Sequence, residues 1–221
     1  MLNYHINNNC IRCYDCGFFE IGVFMPNNYN LCGKCIFNRN SLKQSVNINY
    51  IINKKHNGPL SLEDNGSNIL LVFEAPGIDE WSKSKPVCSK RMGSAAVKIS
   101  NALASCGKKL TDYDIAEALY CFPGKSSKGT GQKIQKEVML GSKFCQKYLE
   151  QEILSKNYKK IVCFGKIAQE SVSRIFNNFF KLKIYRSFYN RTYFKYNVIN
   201  TYHPMHQNFK NLTTFIQDNL L

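Results

Sequence analysis

From Asn68 to the C-terminus, short apolar runs alternate with longer amphipathic stretches, whereas the first 67 residues show no sustained period. The clearest run is Ile69–Phe73 within NILLVFEAPG. It is continuous rather than alternating, which marks a strand covered on both faces, and Pro76 and Gly77 stop it. Three further strands are predicted over 113–121, 159–165 and 197–202. Helical spacing is expected at 94–107, where Leu103 shares an apolar face with Val97 or Ala96 and with Ile99 or Ser100, and where Gly107 is the C-cap. It recurs at 143–156 (Phe144, Tyr148, Leu149, Ile153) and at 166–180 (Ile167, Val172, Ile175, Phe176). A closing helix is expected over 208–220, and 78–93 and 125–133 read as polar loops. Strands separated by helices imply right-handed crossovers and helices on both faces. The predicted fold is α/β: a three-layer α/β/α domain around a four-stranded parallel sheet, spanning residues 68–221.

Composition adds a second unit. Five of the ten cysteines, Cys10, Cys13, Cys16, Cys32 and Cys35, fall within residues 1–40. Cys13, Cys16, Cys32 and Cys35 have the two-pair spacing of a four-thiolate zinc site, and so short a segment needs a metal to fold. Residues 41–67, rich in Asn, Ser and Lys, read as a linker. No apolar run is long enough for a membrane span and the N-terminus is polar, so a cytoplasmic monomer with no membrane association is expected. Thirty Lys and Arg against fifteen Asp and Glu favour a polyanionic partner, with DNA the expected one.

Candidate chemistry collects where the strands end. In a parallel sheet, sites form beyond the carboxyl ends of the strands. Three exits deliver polar groups there: Glu74, the 121–124 loop, and His203 before Pro204. A carboxylate at the end of a buried strand is unfavourable unless solvated, paired or used, and the plain alternative for Glu74 is a helix cap or a partner for a lysine.

These motifs, in this order, resemble the uracil-DNA glycosylase superfamily, and most closely its family 4 enzymes with an iron–sulfur cluster. The likeness is carried by VFEAPG (72–77), the segment from Lys85 to Gly93, YCFPGK (120–125), FCQKYLEQEI, IVCFGKIAQESV and NTYHPM. It implies a DNA glycosylase that hydrolyses the N-glycosidic bond of a flipped-out pyrimidine. Negative charge then grows on the base and positive charge on the sugar. The resemblance implies that His203 stabilises the former and that Glu74, or more weakly Asp79, positions water. Ala75, Val87, Asp79 and Glu117 are implied for base binding, and Pro86, Lys125, Ser126, Lys128, Met205 and His206 for DNA binding. Met205 is placed where the superfamily inserts a wedge into the base stack.

Two positions depart from that pattern. Glu117 stands where the family reads uracil with Asn, and Val87 where it stacks an aromatic ring. An ionised Glu accepts only, which suits an amino group, whereas a protonated Glu pairs with either type of edge. The substrate expectation is therefore uracil or a modified cytosine of the kind found in phage DNA, in base-excision repair or antiviral defence. The alternative is a non-catalytic nucleic-acid-binding module on the same fold. The family's [4Fe–4S] ligands would map to Cys32, Cys35, Cys121 and Cys145. The competing zinc set, Cys13, Cys16, Cys32 and Cys35, leaves Cys121 and Cys145 unused.

Overall fold

Ile69–Phe73 forms β1, a central strand of the sheet paired in parallel on both of its edges. The computed structural model describes residues 60, 62–122, 131–179, 191–193, 196–206, 209 and 211–221, with backbone only at 82, 131–137, 178–179, 191–193 and 196. After β1 come α1 (Ile78–Lys83), α2 (Ala95–Ala104), β2 (Asp114–Glu117), α3 (Gly131–Ser155), β3 (Lys160–Phe164), α4 (Lys166–Phe179), β4 (Arg191–Tyr193), β5 (Tyr196–Thr201) and α5 (Leu212–Leu220). The sheet order is β2-β1-β3-β5-β4. β2, β1, β3 and β5 are mutually parallel, as the sequence pattern predicts. β4 is an addition: a three-residue antiparallel edge strand on β5, drawn from the basic aromatic stretch after α4.

Strand pleating builds two cores, because alternate side chains leave opposite faces of a sheet. Leu70, Val72, Ala116, Ile161, Cys163 and Val198 face α3 and α4. Leu71, Phe73, Ile115, Val162, Phe164 and Ile199 face α2 and α5. The three-layer α/β/α arrangement follows. Among the described residues no helix is long and apolar enough to cross a membrane.

Three elements differ from the pattern-based expectation. Residues 78–83 are helical rather than loop: Ile78 and Trp81, three apart, are both buried and pack with Leu60 and Phe122. β2 ends at Glu117, and the next two amides, of Ala118 and Leu119, donate to the carbonyls of Phe73 (2.8 Å) and Glu74 (3.0 Å) as β1 ends. Helix α3 begins at Gly131, twelve residues before the expected start at 143, where apolar spacing sets in only late along the helix. Residues 62–67, the end of the expected linker, lie along β2. Glu63 exchanges two backbone hydrogen bonds with Ile115. The fully buried Asp114 carboxylate accepts from the amides of Asn65 and Ser67, the Tyr158 hydroxyl and the Lys156 ammonium. A buried carboxylate needs such partners, and these tie the segment to the sheet edge.

Candidate active site

The carboxyl ends of β1, β2 and β5 open on one cavity of about 290 Å³. That is the small end of the range for small-molecule sites, about 300–1,000 Å³, and suits a single base. Phe73 and Ala75 line it from the β1 exit, Glu117 from β2, and His203 and Met205 from the β5 exit. Asp79 and Glu80 enter from α1, and Ser94, Ala95 and Ala96 from the start of α2.

Glu117 is the deepest polar group. It pairs in register with Phe73 and, two residues after Ile115, shares that residue's side of the sheet, toward α2. It is 3% exposed, and its Oε2 has no hydrogen-bond partner. Burial raises its pKa well above the usual carboxylate range, and the nearby Glu80 and Glu74 carboxyls push it the same way. The shift favours the protonated carboxylic acid, which has one donor and one acceptor to offer.

His203 follows β5 and is held by a turn in which the His206 amide donates to its carbonyl at 2.8 Å. Its Nδ1 accepts from the Met205 amide at 3.2 Å, which places the imidazole proton on Nε2. Burial, with His206 and Lys98 adding like charge, lowers its pKa to about 4. The ring is thus a neutral N–H donor at physiological pH.

The α1 side is stapled by its own carboxylates. Glu80 curls back over Gly77, where a Cβ would lie 2.6 Å from its Oε2, and its Oε1 accepts from the Ser89 amide at 3.1 Å. Asp79 accepts from the Ser89 hydroxyl at 3.0 Å and pairs with Arg91 at 3.6 Å. Val87 is buried in the cavity wall with φ of 47°. A β-branched residue in the left-handed region stores about 1–3 kcal/mol, and such strain gathers at functional sites.

Glu74 goes elsewhere. It is not among the cavity-lining residues. It follows the Leu70–Val72 side of the pleat, toward α4, and its Oε1 accepts from the Ile167 amide at 3.2 Å. A carboxylate at a helix N-terminus is favoured by the unpaired amides and the helix dipole. Burial raises its pKa, and the Ile167 and Lys166 amides temper the rise. The structure therefore brings together Glu117, Ala75, Val87, Asp79, His203 and Met205, and leaves Glu74, the buried Pro86 and the exposed His206 outside the wall. Lys125, Ser126 and Lys128 lie outside the described residues, as do Cys10, Cys13, Cys16, Cys32 and Cys35.

Glu80, Ser89, Arg91 and Phe122 are among the wall residues not named as candidates from the sequence. Glu80 carried a readable signal, since Asp79 and Glu80 open a helix whose apolar residues are three apart. Phe122 offers a ring to the cavity and packs on Trp81, with centroids 5.8 Å apart.

Cys121 is half-buried just beyond β2, and Cys145 is buried on α3. The rings of their neighbours Tyr120 and Tyr148 meet edge-on at 6.1 Å, which brings the two cysteine-bearing segments side by side. Two thiols on adjoining segments fit half of a four-cysteine cluster. Among the described residues no group of three or more His, Cys, Asp or Glu could hold a metal ion.

Comparison with known proteins agrees with this geometry. The family model of the uracil DNA glycosylase superfamily matches residues 61–218. The chain is 30% identical over 144 residues to the type-4 uracil-DNA glycosylase of Archaeoglobus fulgidus, an alignment covering 62% of this chain and 65% of that protein. It thus spans just under two thirds of the relative's length. The matched region contains every described wall residue of the cavity, and the chain belongs to the uracil DNA glycosylase superfamily.

Proposed function

We propose that this protein is a DNA glycosylase that hydrolyses the N-glycosidic bond of a flipped-out pyrimidine, uracil or a modified cytosine, in base-excision repair or antiviral defence. One observation carries the reading: a buried carboxyl at Glu117, its Oε2 unpaired, and a neutral imidazole at His203 line one base-sized cavity. A base enters such a cavity only after leaving the stack. Breaking its bond to the sugar places negative charge on the base, and the His203 Nε2–H donates to that charge. Asp79, a carboxylate in the wall, orients water and offsets positive charge on the sugar. Glu74 acts at one remove, by holding α4 against the β1 exit. Arg91, Lys90 and Lys98, all exposed, attract the DNA phosphates, a role also assigned from the sequence to Lys125, Ser126 and Lys128. Met205, 46% exposed at the rim, is the wedge that fills the vacated stack.

The test is base release. The full chain is incubated with single- and double-stranded DNAs bearing uracil, cytosine, hydroxymethylated or glucosylated cytosine, or hypoxanthine. Abasic sites are read by alkaline cleavage and the freed base by mass. Release of a pyrimidine is expected. Tight DNA binding with no base released from any substrate would leave a binding module instead.

A [4Fe–4S] cluster completes the reading. Cys121 and Cys145 would supply two thiolates, and Cys32 and Cys35 the others. The cluster would fasten the N-terminal segment to the domain, since a segment that short lacks a core of its own. Purified protein should be brown with bound iron and sulfide, and Cys121→Ser should lower both. Colourless protein containing zinc would favour the set Cys13, Cys16, Cys32 and Cys35.

A further inference from the structure

We propose that the site is built for a 4-aminopyrimidine, a base of the cytosine type, with the Glu117 carboxylic acid giving its proton to ring N3 while its other oxygen accepts from the 4-amino group. This narrows the glycosylase reading and rests on it.

The Glu117 side chain lines the cavity at 3% exposure, and its Oε2 has no hydrogen-bond partner. Leaving a buried polar atom unpaired costs about 1–3 kcal/mol, so an unpaired carboxyl oxygen in the wall of an open cavity points to a ligand that completes it. The charged and titratable groups around it are Glu80 from α1 and Glu74 from the β1 exit, with Asp79, Arg91 and His203 in the same cavity. Burial and the two nearby carboxyls favour the protonated form of Glu117.

A carboxylic acid presents one donor beside one acceptor. The outer edge of a cytosine-type base presents the complement, an unprotonated N3 beside an amino group. A uracil edge carries N3–H beside a carbonyl. The acid can meet that edge too, but its ionised form would set a carboxylate against the uracil carbonyl. The two bases also differ as leaving groups. Uracil spreads the departing charge over two carbonyls, whereas cytosine has one and gains more from a proton. In the step, the proton passes from Glu117 to N3 as the N1–C1′ bond breaks, and its electron pair goes to the base, which leaves neutral. The water oxygen bonds to C1′, its spare proton leaves through Asp79 to solvent, and solvent reprotonates Glu117. No other reactant is needed.

The experiment compares wild type with Glu117→Gln on duplexes carrying one uracil or one 4-amino base (cytosine, its 5-hydroxymethyl form and the glucosylated form), over a pH series from about 5 to 9. Gln keeps the shape and the hydrogen bonds but has no proton to give. Wild type should release a 4-amino base, at a rate that falls as rising pH removes the Glu117 proton. Glu117→Gln should lose about 10²–10³-fold on that base and less on uracil, so that the ratio of the two rates falls. Equal losses on both bases overturn the proposal, as does wild-type preference for uracil. Release of uracil alone overturns it while the glycosylase reading stands. No release from any DNA overturns both. Should Glu117→Gln melt early, the wild-type pH profiles decide: a fall at alkaline pH confined to the 4-amino bases supports the proposal, and parallel profiles overturn it.

Discussion

His203→Ala should lower single-turnover base release by about 10²–10³-fold while leaving DNA affinity within a few-fold of wild type. That range is what loss of one preorganised donor to a developing anion removes from other enzymes. The expectation rests on three features of this histidine. Its Nδ1 is committed to the Met205 amide, so the remaining proton sits on Nε2. Its pKa of about 4 keeps the ring neutral, so it stabilises negative charge as a hydrogen-bond donor without carrying a full charge that would hold the ground state. Its turn, closed by the bond from the His206 amide, is set by backbone and survives truncation of the side chain. Phosphate contacts, which supply most of the affinity for DNA, are made elsewhere on the surface. The measurement is single-turnover release beside a binding titration at fixed salt. Unchanged release would remove His203 from the reaction, and parallel loss of binding and release would make it a DNA contact.

Gly165→Ala should be the most destabilising small substitution near the site, by about 3–5 kcal/mol, and should lower the melting temperature by roughly 10 °C or more. Gly165 joins β3 to α4 with φ of 91°, where a side chain is strained. A Cβ there would stand 2.7 Å from the Glu74 Cδ and 2.9 Å from its Cγ. Glu74 would have to leave the Ile167 amide, stranding a buried carboxyl and the first amides of α4 together. Gly107→Ala is the control. Its φ of 70° is also left-handed, but nothing lies within 4 Å, so conformational strain of about 1 kcal/mol is all it should show. If the Glu74 contact is the cause, Glu74→Ala combined with Gly165→Ala should be less destabilised than the sum of the two single changes. Additive losses, or equal effects at Gly107 and Gly165, would show that Glu74 does not anchor the helix.

Much of this arrangement is legible along the chain. β1 and β3 announce themselves as apolar runs because both faces of each are covered, and the helices between the strands keep their apolar spacing. His203 is readable because a polar residue followed by Pro204 ends a buried strand, and strand ends of a parallel sheet share an edge. Helix α1 is harder to read. It has six residues, and its helical state depends on Ile78 and Trp81 finding Leu60 and Phe122, partners distant in sequence. Glu80 and Phe122 were missed with it.

The local pattern ends one buried strand before Glu74 and carries a second through Glu117. It does not dictate which glutamate meets a ligand. Pleating sends Glu74 to the side of Val72 and Glu117 to the side of Phe73, but those sides acquire meaning only when α4 packs on the first and α2 on the second. The start of α4 then takes the Glu74 carboxylate, while the start of α2 leaves a space into which Glu117 projects unpaired. A side chain's direction is a local property of the strand, whereas the occupant of the space it points into is chosen by residues tens of positions away.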